Sequence, residues 1–197
     1  MKKTKARKRQ TGEENIWNVP NTLTSLRIMI TFIVVFLIFS KANIWYVILA
    51  FSLGAITDFL DGQTARRLKQ TTEFGRKFDI IADRFLWGGT VISLLVKYGI
   101  EGLLSSLNVL LLFITMSREI VTLPFAIIGF YSGSRIPDAK IIGKYTTFLQ
   151  GFAVPAIMAS IFYPKFIWVA VPLAAASFIS GIFASIRYIL DLKSQRK

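Results

Sequence analysis

Residues 22–66 read TLTSLRIMITFIVVFLIFSKANIWYVILAFSLGAITDFLDGQTAR: two apolar runs, broken only by SKA at 40–42 and closing on acids and an arginine. Each run has about 20 residues, enough for a helix to cross a hydrocarbon core of about 30 Å. Backbone N–H and C=O groups in lipid must be satisfied within the segment, so such runs are read as helices. Working outward, the same pattern recurs at 74–97, 103–131, 140–162 and 166–190, after 22–40 and 43–66. The breaks (RLKQTTEFG, KYGIEG, SGSRIPDA and YPK) are too short to hold a soluble domain. The pattern predicts an all-α integral membrane protein of six transmembrane helices, entered through a short juxtamembrane N-terminal segment. Trp17 there suits an interface, and Asn21 or Thr22 after Pro20 suits a helix N-cap. Pro124, Pro155 and Pro172 lie inside the runs and are expected to kink them, opening a groove to lipid.

Composition points the same way. The 197 residues are 53% hydrophobic and 14% aromatic, with mean hydropathy +0.54. A soluble domain of this size could hardly hide so much apolar surface, so disorder and an ordinary cytosolic globule are excluded. Lys and Arg number 24 against 11 Asp and Glu, a net charge of +13. Beside long apolar runs, that excess suits an anionic membrane surface rather than nucleic acid, which is not expected as a partner. Residues 1–15 form a basic tail without the apolar stretch and cleavage site of a signal peptide, and are expected to stay attached. With that tail in the cytosol, six spans return the C-terminus there. Lys and Arg of 2–9, 66–77, 135–144 and 193–197 then lie inside, with only Lys41, Lys97 and Lys165 outside, as the positive-inside rule requires. The expected organisation is a tail at 1–15, a six-helix catalytic domain at 16–190 and a basic tail at 191–197. The expected location is the inner (cytoplasmic) membrane.

The chain has no cysteine and no histidine. Disulfides, Cys/His zinc sites, cysteine nucleophiles and Ser-His chemistry are thereby excluded, and catalysis must rest on carboxylates, metals, hydroxyls, Lys or Arg.

Four acids gather at the inner ends of spans two and three, in TDFLDGQTARRLKQTTEFGRKFDIIADRF at 57–85. Asp58 and Asp61 are three apart, and Asp79 and Asp83 four apart, so each pair shares a helix face. The two spans are expected to be antiparallel neighbours whose aspartates face each other at one membrane surface. Such a quartet repels itself and loses hydration unless cations neutralise it. Arg66, Arg76 and Arg84 could do part of this. All-oxygen ligation suits Mg²⁺ or Mn²⁺, and four acids suffice for two ions. Gly62 and Ala65 leave room for a bulky ligand, and Arg66 beside them can fork onto phosphate. The plainer reading is salt bridging at a wet helix end.

These residues match D-x2-D-G-x2-A-R-x8-G-x3-D-x3-D at all eight fixed positions over 26 residues. That pattern resembles the signature of the CDP-alcohol phosphatidyltransferases. The resemblance implies transfer of a phosphatidyl group from a CDP-linked lipid to an alcohol, with release of CMP. It implies that Asp58, Asp61, Asp79 and Asp83 bind two metal ions, and that Asp83 takes the proton from the acceptor hydroxyl. It further implies that Asn21, Asp58, Gly62, Ala65, Arg66, Gly75 and Asp79 line the CDP-lipid site, and that a homodimer forms. The chemistry agrees, since in-line attack on a diphosphate needs charge neutralisation and an oriented hydroxyl. Direct transfer without a covalent enzyme intermediate is expected.

NVPNTLTSLR at 18–27 is similar to the N-x-P-N-x-x-T-x-x-R opening of the phosphatidylglycerophosphate synthases, a group within that family. Ser117-Arg118-Glu119, and Gly143-Lys144 with Thr147 and Gln150, resemble that group's R-E and G-K-x-x-T-x-x-Q elements. Arg118 and Lys144 are expected to grip the phosphate of glycerol 3-phosphate, with CDP-diacylglycerol as donor; Arg187 is a weaker candidate. Inositol phosphate is the alternative acceptor. Pairing of Arg118 with Glu119, and snorkelling of Lys144, are the plainer readings. A small ion-coupled transporter would show an internal repeat, and a prenyltransferase two separated Asp-rich motifs; neither is seen. Phe85, Trp87 and Phe113 are expected on a surface facing lipid or a second copy.

Overall fold

The computed structural model describes residues 19–68, 73–131 and 141–194. Among them all regular structure is helical: α1 Val19–Phe39, α2 Ile44–Leu68, α3 Glu73–Ile100, α4 Ser106–Thr115, α5 Ser117–Tyr131, α6 Ile141–Phe162 and α7 Ile167–Ser194. A single 3₁₀ turn at Pro164–Phe166 precedes α7. By length and apolarity, Asn21–Phe39, Gly143–Phe162 and Pro164–Arg187 can cross a membrane; α4 with the start of α5, bent by 46°, makes a fourth if counted as one span. α2 is apolar only from Ile44 to Asp58 before charge sets in. α3 carries Asp79, Asp83 and Arg84 within its length.

α1 starts at Val19 and takes Pro20 in its first turn, where a missing N–H costs nothing. Asn21 is therefore already helical rather than a cap, and its carbonyl accepts from Ser25 Oγ at 3.0 Å. The α1–α2 turn closes with Lys41 in the left-handed region at φ 58°. Ala42 N–H reaches back to the Leu37 carbonyl, and Asn43 Oδ1 then accepts from Trp45 N to start α2. The α3–α4 turn uses the same device, with Gly102 at φ 68° and Leu103 N–H on the Tyr98 carbonyl. Ser105 caps α4 by accepting from Asn108 N–H at 3.1 Å. Ser105→Ala is expected to cost about 1 kcal/mol, read as a lowered thermal midpoint.

These two turns meet. Glu101 Oε1 lies 3.2 Å from Lys41 Nζ and 3.0 Å from Lys97 Nζ. The hydrogen bond from Lys97, then that from Lys41, holds the Glu101 carboxyl below the usual carboxylate range. A carboxyl so lowered stabilises the fold above its unfolded pKa, and that support is lost as pH falls through the folded value. A cavity of about 400 Å³ lies there, lined in part by Tyr98, Phe162 and Tyr163. Trp45 stacks on Tyr163 at 5.7 Å.

α1 packs against both α2 and α3, which touch each other little among the described residues. Spans two and three still meet directly, as expected, where Phe51 packs on Trp87 and Gly54 on Leu86. Gly54 permits this convergence, since a Cβ there would stand 3.0 Å from Leu86 Cδ2 and 3.2 Å from Ile30 Cγ2. α6 pairs with α7, α4 and α5 lie on α7, and α2 joins the two halves through α6. The core runs through Val34 and Ile38, Val47 and Phe51, Leu86 and Leu94, Leu112, Ile157 and Ala174. Phe36, Ile92, Phe148 and Trp168 point outward, the last 83% exposed. A continuous apolar exterior of this kind suits lipid. Phe85 and Phe113 join it, but Trp87 does not; it is buried with its ring edge-on to Phe51 at 5.0 Å.

The break in the fourth apolar segment falls at Met116, not at Pro124, and α6 and α7 run on through Pro155 and Pro172. The cause is a side chain from another helix. Gln150 of α6 donates to the Thr115 carbonyl at 2.8 Å, taking an acceptor that the helix would otherwise use.

Candidate active site

The apolar helix α1 carries one polar face, on which Asn21, Thr24, Arg27 and Thr31 are all buried. At 100° per residue these four fall within about 120° of arc, so a single face turns toward α2 and α3. Arg27, the largest fully buried side chain, lies on this face. Its Nη1 lies 3.1 Å from Asp58 Oδ1 on α2 and donates to Asp79 Oδ1 on α3 at 2.8 Å. One nitrogen thereby brings together the two halves of the aspartate motif from two helices. A guanidinium buried in an apolar helix demands such partners, since an unpaired charge there is costly.

One turn on from Asp79, Asp83 accepts from the Trp87 indole N–H at 2.8 Å. The i to i+4 spacing places both on one face of α3. Arg27 and Arg118 both lie within electrostatic range of Asp83, as does Glu119. Gly75 is half-buried near the start of α3. Asp61, Gly62, Ala65 and Arg66 belong to α2 by their backbone, but their side chains lie outside the described residues, as does that of Arg76. Of the arginines expected to balance the acids, Arg84 is described, and its Nε is buried without a hydrogen-bond partner among the described residues.

A second polar cluster joins α5 to α6. Arg118 Nη1 donates to the Gly143 carbonyl at 3.0 Å and to Thr147 Oγ1 at 2.9 Å. Gln150 Nε2 donates to Glu119 Oε2 at 2.7 Å as well as to the Thr115 carbonyl. The R-E and G-K-x-x-T-x-x-Q elements are therefore in direct contact. The Arg118–Glu119 pair is long, at 3.8 Å. Lys144 is exposed and makes no ion pair among the described residues; Arg187 is also exposed. α7 crosses this cluster at Gly181, where a Cβ would stand 3.2 Å from Arg118 Cβ and 3.6 Å from Thr146 Cγ2. Arg118 Cβ cannot swing aside as a side-chain tip can. Gly181→Val is expected to cost about 1–3 kcal/mol, seen as a drop in thermal midpoint.

Among the described residues no three acidic side chains gather closely enough to enclose a metal ion. The donor chemistry nonetheless fits a hard divalent cation: carboxylate oxygens from α2 and α3 converge on one point, and Asp61 lies one turn from Asp58 on α2.

The sequence of residues 17–177 matches the family model described as CDP-alcohol phosphatidyltransferase. The chain belongs to this family. Among curated CDP-alcohol phosphatidyltransferases, the CDP-diacylglycerol–glycerol-3-phosphate 3-phosphatidyltransferase of Rickettsia typhi is 33% identical over 144 residues, 72% of this chain and 76% of that protein. The protein of the same name from Aquifex aeolicus is 31% identical over 140 residues, 71% and 75% of the two chains. That of Cereibacter sphaeroides is 39% identical over a shorter stretch of 90 residues, 44% of this chain and 39% of that protein. The matched region contains the whole aspartate motif, Arg27 and the α5–α6 cluster. Within this family member, sequence reasoning passed over Arg27 and Trp87 as site residues. Arg27 was visible as the lone charge in an apolar span, and it closes the quoted NVPNTLTSLR opening.

Proposed function

We propose that the protein transfers the phosphatidyl group of CDP-diacylglycerol to glycerol 3-phosphate, giving phosphatidylglycerophosphate and CMP. The observation that carries this is the meeting of Asp58 and Asp79 at Arg27 within a complete family motif, together with relatives named for that reaction. In this reading six spans place both termini and the site on the cytoplasmic side of the inner membrane. α2 and α3 then sink their charged ends toward that surface. Two copies of the chain associate through an apolar exterior that includes Phe85 and Phe113.

Asp58, Asp61, Asp79 and Asp83 hold two divalent ions, Mg²⁺ or Mn²⁺, with Asn21, Gly62, Ala65, Arg66 and Gly75 around the cytidine diphosphate. When bound, the ions supply charge neutralisation to the diphosphate and to the departing CMP. Asp83 accepts the proton of the acceptor hydroxyl, and Trp87 fixes its carboxylate by donating to one oxygen. The acceptor oxygen bonds to the phosphorus bearing diacylglycerol as the bond from that phosphorus to the CMP oxygen breaks. Arg118, anchored on α6 and close enough to Asp83 to share its field, faces the acceptor phosphate, and Lys144 adds charge at the exposed rim.

The test is CMP release by purified protein given CDP-diacylglycerol, Mg²⁺ and one acceptor at a time. Release with glycerol 3-phosphate and not with inositol phosphate is the expected result. Release with inositol phosphate alone would replace the acceptor, and release with neither would overturn the proposal.

A further inference from the structure

Arg27 does more than balance charge. It is fully buried on the face of α1 between α2 and α3. Asp58 and Asp79 come to it from different helices, at 3.1 Å and 2.8 Å from the same nitrogen. α2 and α3 meet further along, where Phe51 packs edge-on to Trp87 and Gly54 lies against Leu86; at the aspartates Arg27 links them. Arg27 touches both carboxylates and so can hold their separation. A guanidinium stays charged across the working pH range, so its hold on the two carboxylates does not lapse with a proton.

We infer that Arg27 is a positioning residue that sets the spacing of Asp58 and Asp79 for a divalent cation, and so fixes the affinity of the site for metal. The inference rests on the metal-dependent reading of the site proposed above. Groups that hold metal-ligating carboxylates in place from outside are worth about 10–100-fold in affinity. Arg27→Gln keeps a polar side chain but removes the charge and the planar fork. Arg27→Lys keeps the charge but places it at the end of a stem with a different reach.

The experiment is a Mn²⁺ titration of the full-length protein in detergent micelles, followed by electron paramagnetic resonance, with no lipid substrate present. Arg27→Gln is expected to bind Mn²⁺ about 100-fold more weakly than the parent, and Arg27→Lys about 10-fold more weakly. At saturating Mn²⁺ the KM for the CDP-lipid should return close to the parental value. Gel filtration and a thermal midpoint establish that each variant is folded. Should Arg27→Gln fail to fold, Arg27→Lys decides alone. Parental or tighter Mn²⁺ binding in a folded variant overturns the inference, the tighter result marking Arg27 as a competitor of the metal. Absence of Mn²⁺ binding in the parent overturns the metal reading and this inference with it. Metal binding in the parent, unchanged in the variants, overturns this inference alone.

Discussion

Asp83→Asn is expected to lower kcat by about 10³-fold, within the ~10²–10⁴ range that general acid–base catalysis supplies. The substitution is nearly isosteric, and the Trp87 indole N–H can still donate to the remaining carbonyl oxygen. The geometry of α3 and the packing of Trp87 on Phe51 should therefore persist. What disappears is the capacity to accept a proton, in a chain with no histidine to take over. Steady-state CMP release, with KM measured for each substrate, separates the roles. A fall in kcat with little change in either KM marks a base. A rise in the Mg²⁺ requirement marks the proposed second duty as a ligand. Undiminished turnover removes Asp83 from the mechanism.

The second large effect is loss of metal. Chelation with EDTA is expected to silence the enzyme, and Mg²⁺ or Mn²⁺ to restore it. Asp61→Asn is expected to reduce CMP release to background at physiological Mg²⁺, because a neutral amide replaces one of few anionic oxygens available to a hard cation. Activity of the parent in EDTA, or of Asp61→Asn without added metal, would rule out the ion-assisted reading.

Much of this was legible in the residues, and the parts that were not share a cause. The aspartate motif could be read because its information is local: fixed spacings on two helices, each with its own face. The helices could be read because lipid forces the backbone to satisfy itself within each segment. Arg27 was harder, since its meaning depends on α1 packing against both α2 and α3, a tertiary fact that no spacing encodes. Trp87 looked like an aromatic for lipid or a partner. Its N–H is taken by Asp83 one turn back, and its ring by Phe51 from another helix, so it lies inside. The point where the fourth segment divides was hidden for the same reason. Pro155 and Pro172 sit in helices that run on past them, while Met116, with no local breaker, is where the fourth segment divides. The agent is Gln150, 35 residues away in sequence.

The order of charges along the chain has a bearing on how the protein is made. Arg27 precedes Asp58 and Asp79, so during synthesis the cation enters the bilayer before the anions it will hold. Each aspartate then arrives beside a counter-charge already in place, instead of meeting the membrane boundary uncompensated. A rearranged gene delivering the first helix last would present those acids to lipid unaccompanied, and its product should be recovered poorly from membranes even though every contact of the finished fold is still encoded.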